Sequence, residues 1–166
     1  MVPSKTVRSY LQREIYGLEF ELSAEIITHY SRLVLMIAAG DGVVSEAEWA
    51  YAEGRAMAIG IPQAALEELR GFDYKGANLA EEAAAYRDAS GSRGAYAFLY
   101  DAIKVASVDG YAAGEQAAVR RVANILGIPL STVESIEHLI QTEDALRELR
   151  LSVLYPQRTV FHRKSS

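Results

Sequence analysis

Five carboxylates gather around two Asp-Gly pairs in this sequence. Asp41-Gly42 is followed by Glu46 and Glu48, and Asp109-Gly110 by Glu115. Side-chain oxygens without nitrogen or sulfur donors suit a hard divalent cation such as Ca²⁺, Mg²⁺ or Mn²⁺, with Zn²⁺ as a further option. Carboxylates brought together repel unless a cation or a proton sits among them. An Asp closing a helix faces the negative pole of its dipole, a penalty of about 0.3–1 kcal/mol that the chain accepts twice. A structural role competes with the metal site. Gly42 and Gly110 would adopt positive φ past a helix end, Asp41 and Asp109 would accept from backbone two residues on, and Glu46 and Glu48 would favour the next helix N-terminus. The segment from Asp41 to Glu48 imitates the second half of an EF-hand loop. Ile37 and Ala39 stand where that loop needs oxygen ligands, so it is not one.

Other chemistry is sparse. His29 follows Glu25, and His138 follows Glu134, by four residues, the spacing of a modest helix-surface pair. There is no cysteine, no Gly-x-Ser-x-Gly elbow and no phosphate-cradling glycine loop. The ten tyrosines read as core or rim residues, and Trp49 as buried against neighbouring helices. No residue set defines a reaction, and the expectation is a non-enzymatic protein.

The elements that must position the carboxylates are helices. Apolar residues recur at steps of three and four, as in Ile26, Tyr30, Leu33, Val34 and Ile37. The pattern predicts helices near 5–18, 24–40, 46–59, 63–71, 79–89, 94–108, 114–126, 131–141 and 143–154. Ser45 with Glu48, Asn78 with Glu81 and Ser131 with Glu134 have capping spacing. Gly60-Ile61-Pro62 and Gly127-Ile128-Pro129 supply stops, and residues 90–94 a linker.

The pattern is duplicated. An apolar helix runs into Asp41-Gly42, and the helix after it ends at Gly60-Ile61-Pro62; Asp109-Gly110 and Gly127-Ile128-Pro129 repeat this order 68 and 67 residues later. The second turn is therefore one residue shorter, and it carries Gly114. Two units are too few for a solenoid and imply one domain with a pseudo-twofold axis. Ala38, Asp41, Gly42 and Glu48, repeated as Ala106, Asp109, Gly110 and Glu115, resemble the tellurite-resistance TerB family, and are similar too to the TerB-like domain of membrane-anchored DnaJ-type co-chaperones. The resemblance spans residues 24–141. It implies an all-α fold, acidic residues that chelate metal, and a binding module in tellurite, metal or stress response that docks to membrane-associated protein partners. No His-Pro-Asp triplet is present, so the chain is not itself a J-protein.

Composition sets the remaining bounds. The 166 residues fit one compact all-α domain of seven to nine helices over residues 1–156, with repeat units near 24–67 and 94–134 and a basic tail at 157–166. A net charge of −5 with dispersed basic residues argues against nucleic acid. The longest apolar run, Leu33–Gly40, falls far short of the roughly 18 residues a membrane span requires. The N-terminus has no apolar signal core, and a cysteine-free chain fits a reducing compartment, so the expected location is the cytoplasm. The alternative to a cation-binding module is a ligand-free interaction domain, including a homodimer through an apolar helix face.

Overall fold

A computed structural model describes residues 4–91 and 94–156. The basic tail at 157–166 and part of the 90–94 linker lie outside them. Among the described residues there are eight α-helices and no strand: α1 (Lys5–Tyr16), α2 (Ala24–Ala38), α3 (Glu46–Ile59), α4 (Gln63–Arg70), α5 (Leu79–Ser90), α6 (Ala95–Ala106), α7 (Ala113–Ile125) and α8 (Leu130–Leu154). A 3₁₀ turn, Ala39–Asp41, extends α2. None of these helices is long and apolar enough to cross a membrane.

Helix α2 is the axis of the core. Every residue from Leu33 to Ala38 is buried, so α2 is covered all round, by α3, α4, α5, α6 and α7. The duplication read from the sequence is also a duplication of packing. Helices α2 and α6 pack on each other, α3 packs on α6 as α7 packs on α2, and α4 meets α2 as α8 meets α6.

The punctuation repeats in atomic detail. Gly60 (φ 95°) and Gly127 (φ 72°) turn the chain left-handed. Ile61 N–H then donates to Ala56 O at 2.9 Å, and Ile128 N–H to Ala123 O at 2.8 Å. In both copies the proline then opens the next helix, since Pro62 (ψ 148°) and Pro129 (ψ 146°) are the N-caps of α4 and α8. Ser131 is therefore inside α8 and does not cap it, contrary to the spacing argument. Asn78 does cap α5, accepting from Ala80 N and Glu81 N.

A second correction concerns α8, which runs unbroken where the pattern predicts two helices. Gln141-Thr142-Glu143 contains no glycine or proline, and the Thr142 hydroxyl returns its hydrogen bond to His138 O within the helix (2.9 Å). His29 is also reassigned: its Nδ1 meets Glu82 on α5 at 2.5 Å rather than Glu25 on its own helix. Trp49 is half-buried, with Arg70 stacked over its ring at 5.4 Å.

Two glycines govern how closely the halves approach. A Cβ on Gly40 would lie 2.6 Å from Glu115 Cα, and one on Gly114 would lie 2.1 Å from Gly40 O. The end of α2 and the start of α7 therefore touch backbone to backbone. Gly114 was a departure from the repeat in sequence terms; in the fold it is the contact.

The core also holds an ion pair. Asp101 on α6, 2% exposed, faces Arg55 on α3 and accepts from the hydroxyls of Tyr16 and Tyr30. The guanidinium lies 5.4 Å from the ring centres of both Tyr16 and Tyr100. Burial pushes the Tyr16 hydroxyl up to about 12 and Tyr30 well above its ordinary range, so both remain donors. In the repeat, Arg55 corresponds to Val122 and Asp101 to Leu33, both fully buried. One seam between the halves is thus charged and its twin apolar.

Chemical denaturation tests the glycine contact and the ion pair. Gly40→Ala should destabilise by about 1–3 kcal/mol through overpacking, while Gly54→Ala on α3, where nothing lies within 4 Å, should stabilise by about 0.5–1 kcal/mol. Asp101→Leu and Arg55→Met should each cost about 3–5 kcal/mol, because each leaves a buried charge uncompensated. The double variant should lose less than either single change; additive losses would mean that the pair is not coupled.

Candidate functional site

The acidic turns are built by their caps. The 3₁₀ turn ends at Gly42, whose φ of 113° reverses the chain, and Asp41 Oδ1 accepts from Val43 N at 3.1 Å. The chain then enters α3 through a complete capping box. Ser45 Oγ accepts from Glu48 N (3.1 Å), and Glu48 Oε2 accepts from Ser45 N (2.7 Å). In the second copy Gly110 has a φ of 149°, and Ala112 occupies the serine position. Only half of the box survives: Glu115 Oε2 accepts from Ala112 N at 2.6 Å. Each glutamate is therefore locked by one oxygen to the backbone of its own helix.

The other halves of these carboxyl groups meet. Glu48 and Glu115, each 3% exposed, face each other across the junction of the repeats, and each carboxyl group acts on the other's proton affinity. Two buried carboxylates cannot face each other as anions, so a proton is retained. Burial, followed by the facing carboxyl group of Glu48 and its charge, pushes Glu115 up to about 8. Burial also raises Glu48. Glu48 Oε1 is fully buried and has no hydrogen-bond partner among the described residues.

The aspartates border this pair crosswise. The charge of Asp41 raises Glu115 in the opposite copy, and that of Asp109 raises Glu48. Both aspartates are exposed. Of the five sequence candidates, the fold brings Glu48 and Glu115 into contact and sets Asp41 and Asp109 at their rim. Glu46 is exposed on the first turn of α3 and stands apart from the pair. Among the described residues no group of three or more His, Asp or Glu side chains converges as a ready-made metal cage. The donor set nonetheless fits a hard cation in kind: oxygens only, one of them buried without a fixed donor.

Sequence reasoning did not find Arg55, Asp101, Tyr16 or Tyr30. A signal existed for Asp101, an acid in the middle of the apolar stripe formed by Phe98, Ala102 and Val105. Nothing in the spacing indicated which cation would meet it. Near the ion pair, a cavity of about 20 Å³, large enough for one water, lies under Trp49 and Tyr30.

The shared proton gives a signed pH dependence. The folded pair keeps it to about pH 8, whereas a free glutamate releases it near 4.5. The resulting stabilisation is complete below the lower value and is lost as pH rises through the upper one. From pH 5 to pH 8.5 the native chain should therefore lose stability relative to Glu115→Gln, which keeps a neutral donor at any pH. Parallel denaturation curves for the two proteins across that range would mean that no proton is shared.

Comparison with known proteins places this geometry. No family model and no curated protein matches the chain. The fold does match the crystal structure of a tellurite resistance protein from the cyanobacterium Nostoc punctiforme, with a TM-score of 0.76 and 31% identity, covering 95% of this chain and 97% of that one. Agreement at that level over nearly the full length of both chains, together with the doubled Asp-Gly turn, shows that this chain belongs to the TerB-like tellurite-resistance family.

Proposed function

We propose that the protein is a non-enzymatic, cytoplasmic binding module of tellurite or metal stress response. In this reading the junction between its two repeats takes up one divalent cation in exchange for the shared proton, and protein partners, including membrane-associated ones, dock to the module. The observation that carries this reading is the buried Glu48–Glu115 pair, flanked crosswise by Asp41 and Asp109. Carboxyl groups so placed require a positive charge between them, and a proton and a hard cation compete for that position. Glu48 and Glu115 would hold the ion by the oxygens that the caps leave free, with Asp41 and Asp109 completing its charge balance. Bound there, the cation would tie α3 to α7 and tighten the junction of the halves. The name of the Nostoc protein supports the resistance role, and the net charge of −5 favours a cation over nucleic acid as ligand.

A second reading has its own support. Asp41 already accepts from Val43 N, and a proton retained by Glu115 relieves the repulsion of the pair without an ion. In that case the turns serve only to join the repeats of an interaction domain.

Thermal unfolding separates the two. After chelator treatment, Ca²⁺, Mg²⁺, Mn²⁺ or Zn²⁺ is returned to the native chain and to Glu48→Gln/Glu115→Gln. An ion at a hundred times its dissociation constant adds about 2.7 kcal/mol, which raises Tm by roughly 5–10 °C in a domain of this size. The shift should occur in the native chain alone and should grow from pH 6 to pH 8.5 as the proton becomes easier to displace. Identical melting with every ion would leave the ligand-free domain.

A further inference from the structure

The strongest feature outside the acidic junction is the second half of α8. Its first half lies on α6 and α7 through Val133 and Ile140, and Glu143 and Asp144 are tied to α6 by Tyr100 and Lys104. Beyond Asp144, among the described residues, only Leu151 is even half-buried. Yet this solvated stretch is not polar all round. Leu139, Leu146, Leu149 and Val153 are 49–68% exposed. Leu139, Leu146 and Val153 recur every seven residues, and Leu149, with Thr142 one heptad earlier, falls between them. That is the a/d seam of a coiled coil, and no second helix covers it among the described residues. The seam points away from Val133 and Ile140, so the body of the domain does not cover it.

The charges beside the seam identify the occupant. Glu143 and Arg150 hold the e positions, while Ala145 and Ser152 hold the g positions. Arg150 is exposed and has no ion pair among the described residues. In an antiparallel pair of identical helices, e faces e and g faces g. A register that sets Leu146 against Leu149 of the other copy brings Glu143 against Arg150 twice, once on each side of the twofold, and places only Ala145 and Ser152 at the opposite flank. A parallel pair would instead match e with g and leave Arg150 without a partner. We propose that residues 142–154 of α8 form an antiparallel, self-complementary contact with a second copy of this chain, so that the protein acts as a dimer.

The full chain tests this directly, because it contains no cysteine of its own. Sedimentation equilibrium from low micromolar to near-millimolar protein should show a monomer–dimer equilibrium. Leu146→Glu/Leu149→Glu should abolish the dimer while leaving helix content and melting temperature unchanged. Arg150→Glu alone, which touches nothing in the body, should raise the dissociation constant on the order of tenfold, because two attractive contacts become repulsive. Direction comes from cross-linking. Thr142→Cys mixed with Val153→Cys should form mixed disulfides, and neither variant should cross-link with itself. A monomer at every concentration, including one whose seam is covered by its own tail, overturns the proposal. So does self-cross-linking of each variant, which would mark a parallel pair.

Discussion

The contact between Gly40 and Gly114 determines how close the two repeats come, and most of what is distinctive in this molecule follows from that distance. With any Cβ at either position the backbones would have to separate. Such a separation would pull Glu115, the next residue after Gly114, away from Glu48. The carboxyl pair, the crosswise influence of the aspartates and the retained proton all require the halves to meet this tightly. Two residues with no side chain thus fix the electrostatics of four that have one.

The junction and the core solve the same problem in different ways. At the junction two like groups are reconciled by a retained proton, so the arrangement responds to pH. In the core Asp101 and Arg55 neutralise each other, and two tyrosine hydroxyls donate to Asp101 Oδ2, so the charge is balanced within the protein. The first centre is adjustable and the second is fixed. Tyr16 links the N-terminal helix to the fixed one, and α1 is further fastened by Gln12, which bonds Phe20 O and Ile59 O. The outer helix is thereby pinned to the same buried charges that α3 and α6 share.

Much of this could be read from the residues alone. The doubled Gly-Ile-Pro triplet is a backbone signal, set locally by positive φ and by the missing proline N–H, and it survives intact in the fold, as does the positive φ of Gly42 and Gly110. So does the Ser45–Glu48 box, which needs only four consecutive residues. What escaped was anything set by partners far apart in sequence. Glu46 and Glu48 look equivalent in the chain, yet their positions on the first turn of α3 leave one in solvent and bury the other. His29 had a plausible neighbour at four residues and took Glu82 from α5 instead. The start of α8 was obscured because Ser131 and Glu134 carry capping spacing that Pro129 pre-empts two residues earlier.

The unequal seams between the repeats carry a consequence for how a duplicated chain finds its own arrangement. Two copies of one unit face an ambiguity, since each could as well embrace its twin from another molecule. Pairing two first units would set Arg55 against Leu33, and pairing two second units would set Asp101 against Val122, in each case sealing a lone charge in oil. Only first against second matches cation with anion and hydrocarbon with hydrocarbon. The charge pair thus works as a key to assembly order, and it makes an exchange of like halves between neighbouring chains the costliest way to fold.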